Sequence, residues 1–198
     1  MLSGTIKVEG NIEFYYEDSG TDDLDLSDYS TVVLIHGMGF NGGEFSLIVI
    51  YVLISNLFFS SPAIFRKMFP YGPSHNYRLV SLYRRGYAPS SPWTEGEVSL
   101  YKSSNAEDGK KHLRLAGLQI ARFLLEFATS QGIPKHNEAR KTGGIHLIGW
   151  SLGTMFLQAV LANLDGLAAE ELDLLEGYLR TFLHLGMYRS WFPIGGQI

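Results

Sequence analysis

The chain contains no cysteine among its 198 residues, so disulfides, thiolate nucleophiles and cysteine-ligated metals are all excluded. It also lacks a basic segment followed by an apolar run at its start, M-L-S-G-T-I-K-V-E-G, so no secretory signal is expected. No Asn-x-Ser/Thr glycosylation acceptor occurs anywhere in it. These absences point to a cytoplasmic protein. Charge is scarce, at 18% of residues with a net charge of −4, which gives no clustered basic surface for phosphates and hence no nucleic-acid partner. The local trio Arg78, Arg84 and Arg85 is too small to change that. No repeat or low-complexity segment interrupts the chain, and its 45% hydrophobic content suits one globular domain over residues 1–198.

The residues that are present organise into strands alternating with helices. Residues 5–17 alternate loosely between apolar and charged around Gly10-Asn11, which predicts a two-stranded edge hairpin, followed by an acidic loop from Asp18 to Tyr29. Thr31–Ile35, Arg78–Leu82 and Gly144–Ile148 read as buried strands, the first of them β-branched and apolar as if covered by helices on both faces. Between the last two, Lys110–Ser130 carries a broad apolar stripe at helical spacing, ended by Gly132 and Pro134. Leu152 to Asn163 continues at helical spacing to a stop at Gly166, a second helical stretch spans Leu167–Gly177, and Leu179–Leu185 predicts a further strand. Such alternation implies a mainly parallel sheet.

Chemistry enters at Gly149-Trp150-Ser151-Leu152-Gly153, a G-x-S-x-G sequence placed directly after a predicted strand and directly before a predicted helix. A sharp strand-to-helix turn strains the serine backbone and brings neighbouring chains close, so side chains at Gly149 and Gly153 would clash. The turn projects Ser151 as a nucleophile, and the Leu152 amide at the helix start can stabilise developing negative charge. An ordinary glycine-rich turn with a serine cap is the plainer alternative.

At the end of the first buried strand stands His36-Gly37-Met38-Gly39, where the Met38 amide is the expected second oxyanion donor. Gly37 to Gly42 also spells G-x-G-x-x-G, but a dinucleotide site needs an acid about 20 positions on, and residues 45–65 hold no charge at all. Taken in order, H-G-M-G, R-R-G-Y-A-P-S and G-W-S-L-G resemble the α/β-hydrolase superfamily over most of the chain. In the middle motif Arg85, Gly86 and Ser90 match the family's D-x-R-G-x-G-x-S loop, while Tyr83 and Ala88 depart from its Asp and Gly.

The resemblance implies an α/β fold, a mainly parallel sheet flanked by helices and lacking the last strands. It also implies ester or other acyl hydrolysis through Ser151 acting on a small-molecule acyl substrate, with His36 structural. No cofactor and no metal site is expected. This architecture also hosts dehalogenation and epoxide opening, and a serine at the turn disfavours the chemistries that use an aspartate there.

The family orders its triad serine, acid, histidine. After Ser151 the sole histidine is His184, the candidate base, which strand alternation places in the sheet and away from the serine loop. The acids before it, Asp165, Glu170, Glu171, Asp173 and Glu176, fall in predicted helix as a solvated face. A chain without acid and base would be a catalytically inactive fragment or pseudoenzyme with a retained binding pocket.

An atypical apolar insertion at about 45–63 completes the reading. Its core, Leu47–Phe59, reaches ~20 Å as a helix, short of the ~30 Å hydrocarbon layer, so it is too short to span and leaves a shallow membrane contact or a substrate-cap helix as alternatives, neither of them favoured. Joining Gly43 to Ile64 gives H-G-M-G-F-N-G-G-I-F-R-K-M-F-P, which resembles the family's continuous loop and helix start. The preferred hypothesis is that about twenty residues here, with the tail from Gly186 on as a second candidate, are translated from unspliced intron or a faulty gene model. Sequencing of transcripts is then expected to show a dominant species without codons 45 to 63, and a dominant species reading continuously through them would overturn it.

Overall fold

Gly10 and Asn11 turn the first strand back on itself. Both hold positive φ, 74° and 59°, a region that glycine enters freely and asparagine more readily than most residues. They join β1 (Leu2–Val8) to β2 (Ile12–Asp18) in an antiparallel hairpin with Val8 opposite Ile12. The computed structural model describes residues 1–37 and 62–186. Within them β3 (Ser30–Ile35), β4 (Tyr77–Leu82), β5 (Ile145–Trp150) and β6 (Leu179–Leu185) complete a six-stranded sheet of order β1-β2-β4-β3-β5-β6. The pairs β3–β4, β3–β5 and β5–β6 are parallel, while β2 joins β4 antiparallel. Only β1 of the hairpin is therefore an edge; β2 lies inside the sheet, and Asp18, expected to open the loop, is its last residue.

The helices are α1 (Glu95–Lys102), α2 (Ala106–Ser130), α3 (Gly153–Leu161) and α4 (Ala169–Glu176). A reciprocal capping box between Thr94 and Glu97 opens α1, and the Asn105 side chain accepts the Glu107 amide to open α2. That cap starts α2 four residues before the apolar stripe begins. Conversely, α3 ends at Leu161, sooner than its spacing suggests, and Leu164–Gly166 turns as a 3-10 helix.

The two faces of the sheet are covered differently. On one, Phe14, Val33, Ile35, Val80, Leu82 and Leu147 pack against α2 and α3 through Phe123, Phe127 and Leu157. On the other, Val32, Leu34 and Leu79 meet Phe65 and Phe69, which lie on a 3-10 segment, Pro62–Tyr71, carrying Pro70 inside it. Among the described residues this second face thus meets a 3-10 coil where a helix was expected. All six residues of β3 are buried, in keeping with its place at the centre of the sheet.

None of the three clustered arginines forms part of a basic surface. Arg78 is 4% exposed and its guanidinium meets the Asp18 carboxylate, itself 1% exposed, at 2.5 to 3.1 Å. This pair ties the end of β2 to the start of β4. Removing one partner of a buried pair strands the other charge and costs ~3–5 kcal/mol, whereas replacing both by apolar groups is near neutral. Arg78→Met is therefore expected to lower the urea unfolding free energy by about 3 kcal/mol, and the added change Asp18→Leu to recover most of it.

Candidate functional site

Ser151 holds φ at 54°, in the left-handed region where a non-glycine residue is strained and persists only when its surroundings enforce it. Those surroundings are specific. A Cβ on Gly149 would fall 2.7 Å from Thr154 Cα and from the Gly153 carbonyl oxygen, and one on Gly153 would run into the Ile35 carbonyl and lie 2.8 Å from that of His36. The chain can leave β5 and enter α3 at this closeness only with glycine at both positions. From the other side, the Ser151 amide donates to the Leu185 carbonyl at 2.8 Å, which fastens the turn to β6. The Ser151 carbonyl accepts the Thr154 hydroxyl at 2.7 Å and the Thr154 amide at 3.0 Å. Ser151 itself is half-buried, and its Oγ makes no hydrogen bond among the described residues. The same holds for the Leu152 amide at the start of α3. A free amide at a helix start carries partial positive charge beside the hydroxyl.

The turn out of β3 forms the facing wall. A Cβ on Gly37 would lie 3.0 Å from Ser151 Cβ and 3.3 Å from the Trp150 ring, so the backbone there runs directly against the serine. His36 is fully buried, and its ring is fixed at both nitrogens. The Arg84 amide can only donate, so Nε2 at 3.2 Å accepts and Nδ1 donates to the Gly37 carbonyl at 2.8 Å. Burial, with the nearby charge of Arg84, holds its pKa down to about 2. A neutral ring with both nitrogens engaged is scaffolding and not a base. Met38 lies outside the described residues, as does Leu47–Phe59.

Arg84 was not singled out for this role from the sequence, and it is the centre of the wall. It is 5% exposed, its Nε donates to the His36 carbonyl at 3.1 Å and its Nη2 to the Gly37 carbonyl at 2.6 Å. Its neighbour Arg85 points elsewhere, forming a two-pronged pair with Glu97 at 2.6 and 2.9 Å and covering the Trp93 ring. Ser90 accepts the Tyr15 amide at 2.8 Å and donates to the Tyr83 carbonyl at 2.6 Å, so this loop serves as structure. Tyr83, where the resembled family has Asp, donates its hydroxyl to the buried Glu17 at 2.7 Å, and Arg66 pairs with the same carboxylate.

His184 stands on β6 opposite Gly149, which brings it to the same end of the sheet as the serine. Its side chain is exposed, and no hydrogen bond joins it to Ser151. The acids that precede it remain on the surface side: Asp165 sits 3.6 Å from Arg114, while Glu171 caps α4 through the Ala168 amide. The other histidines belong to other places. His75 ends a turn before β4, His146 lies at the start of β5 against Tyr77, His136 pairs with Glu138, and His112 on α2 packs at a tilt against Trp93 and Tyr101. Among the described residues no group of three His, Asp or Glu could hold a metal ion, and no helix is long and apolar enough to cross a membrane.

No protein-family model matches the sequence, and no curated protein matches it. Solved structures do. An epoxide hydrolase mutant from Vigna radiata superposes with a TM-score of 0.51 at 13% identity, over 94% of this chain and 38% of that one. A mutant of VrEH2 superposes with a TM-score of 0.52 at 12% identity, over 94% and 38%. At such identities the likeness concerns the fold alone, and this chain has the α/β-hydrolase fold, spanning 38% of the length of those structures.

The buried imidazole gives the fold a definite pH dependence. Unfolded chain protonates His36 near pH 6.5 and folded chain only near pH 2. Between those values the unfolded state binds more protons, so stability is lost as pH falls, by up to ~1.4 kcal/mol per unit for this one ring. His112 and His146, whose pKa values burial also lowers, add slopes of the same sign. Urea unfolding at pH 6.5 and pH 5, a window above ordinary carboxylate titration, is expected to show a shallower slope in His36→Asn than in the unaltered chain.

Proposed function

We propose that the chain performs acyl chemistry through Ser151, as a serine hydrolase of esters or related small acyl compounds. The observation that carries this reading is the strained Ser151 backbone, at φ 54° between two glycines that admit no side chain, with the free Leu152 amide beside its hydroxyl. Strain of this kind costs on the order of 1–3 kcal/mol, and a turn whose only task was to cap a helix would relax it. In the reaction Ser151 Oγ attacks the acyl carbonyl, its proton passes to a base, the carbonyl oxygen becomes negative against the Leu152 amide, and the alcohol departs with a proton. Water then attacks the acyl-serine ester, releasing the acid and restoring the hydroxyl. The second oxyanion donor in this reading is the Met38 amide.

The candidate for the base in this reading is His184, which shares the sheet end with Ser151. A second reading, binding without turnover, draws on the absence of any hydrogen bond between Ser151 and a histidine or carboxylate among the described residues. Loss of triad members leaves only ~10³–10⁴-fold catalysis over water. Epoxide opening, the activity in the name of the similar Vigna radiata structure, is disfavoured here because the group in the turn is a serine.

Covalent labelling by a fluorophosphonate separates the two readings. The unaltered chain is expected to be labelled and Ser151→Ala not, with matched folding by circular dichroism. A folded chain that is not labelled supports the silent binder instead. Within a labelled chain, His184→Gln reducing the rate to that of Ser151→Ala assigns the base, and an unchanged rate removes His184 from the mechanism.

A further inference from the structure

We propose that Arg84 is a positioning residue for the chemistry of Ser151, holding the Gly37 peptide against the serine through its two carbonyl hydrogen bonds; this rests on the serine-nucleophile reading. Among the described residues it is the one buried arginine without a carboxylate partner. Arg78 has Asp18 and Arg85 has Glu97, whereas the polar contacts of Arg84 are the carbonyls of His36 and Gly37 and, at 3.4 Å, the Tyr87 hydroxyl. An uncompensated buried cation is costly. Desolvation accordingly lowers its pKa to about 10, which still leaves it protonated at neutral pH.

What the cation does there is join three elements that must meet at the site. Its planar fork spans two successive carbonyls at the end of β3, a geometry that an ammonium or an apolar side chain cannot reproduce. Its flat face lies 4.1 Å over the ring of Phe156 and 4.9 Å over that of Tyr87. Phe156 belongs to α3, the helix that Ser151 introduces, so one guanidinium ties β3, the loop after β4 and the nucleophile helix together. Gly37 is the point at which this matters chemically. A Cβ there would lie 3.0 Å from Ser151 Cβ, so displacement of its peptide is displacement of the wall beside the reacting hydroxyl. If bulk alone were needed, Met or Leu would fill the space without the desolvation cost.

The test uses the full chain and the fluorophosphonate labelling rate at Ser151. Arg84→Met, which keeps an apolar stem between the two rings, is expected to fold and to label roughly 10-fold or more slowly, since small misplacements at a reacting centre are costly in rate. Arg84→Lys, with the charge but a single point donor, is expected to fall between the two. Free guanidinium ion at sub-denaturing concentration is expected to accelerate labelling of Arg84→Ala and to leave Ser151→Ala unlabelled, a rescue that a packing role would not show. Wild-type rates in folded Arg84→Met and Arg84→Lys, or no rescue of a slow Arg84→Ala, overturn the proposal. Should the unaltered chain itself not label, the serine reading fails separately, and the Gly37 carbonyl carbon resonance decides the clamp. An upfield move in Arg84→Met is expected from the lost hydrogen bond, and an unmoved resonance overturns it.

Discussion

Everything at the candidate site depends on one steric constraint, the absence of room between the turn that leaves β5 and the end of β3. Gly153 runs against the carbonyls of Ile35 and His36, Gly149 against Gly153 and Thr154, and Gly37 against Ser151. Backbone this close cannot be reached by side chains yielding, because what a Cβ would meet is mainly other backbone. The tight turn forces Ser151 into the left-handed region, starts α3 directly after it and, among the described residues, leaves the Leu152 amide without a hydrogen-bond partner. Strand order follows the same logic, since β3 and β5 must be neighbours for the two turns to touch.

Around this contact the chain places its buried charge unevenly. The Arg78–Asp18 and Arg85–Glu97 pairs are neutral units that fix β2 to β4 and α1 to the loop after β4. Glu17 is shared by Arg66 and Tyr83. Arg84 departs from the pattern, held among the described residues by carbonyl dipoles, the Tyr87 hydroxyl and aromatic faces. Its charge also helps keep His36 neutral, so the imidazole and the guanidinium behave as one clamp on the Gly37 peptide. This division of labour gives the half-buried serine a fixed wall on the side of Gly37.

Much of this is legible in the sequence. The β-branched run Thr31–Ile35, the alternation around Gly10-Asn11 and the segment Leu179–Leu185 become strands nearly as read, because burial in a parallel sheet and hairpin pairing leave period-specific traces. The glycines of G-W-S-L-G carried their steric meaning on their face. Where boundaries moved, hydrogen bonding outweighed the apolar pattern: the Asn105 cap lengthened α2, and β5 ran on to Trp150 because its partner β6 extends to Leu185, which stands opposite it. The 3-10 coil at Pro62–Tyr71 was invisible to helical periodicity, since Phe65 and Phe69 sit four apart as in an ordinary helix.

By itself, then, the sequence determined the kind of fold, the identity of the nucleophile candidate and the exclusion of thiol chemistry, since each rests on local residue types and spacing. Tertiary structure decided the rest. That Arg84 grips Gly37 while Arg85, one residue on, grips Glu97 depends on which way each side chain leaves the end of β4, and two adjacent arginines look alike in one dimension. That His184 reaches the serine's end of the sheet without bonding to it depends on the register of β6 against β5, a relation between strands that no single segment encodes.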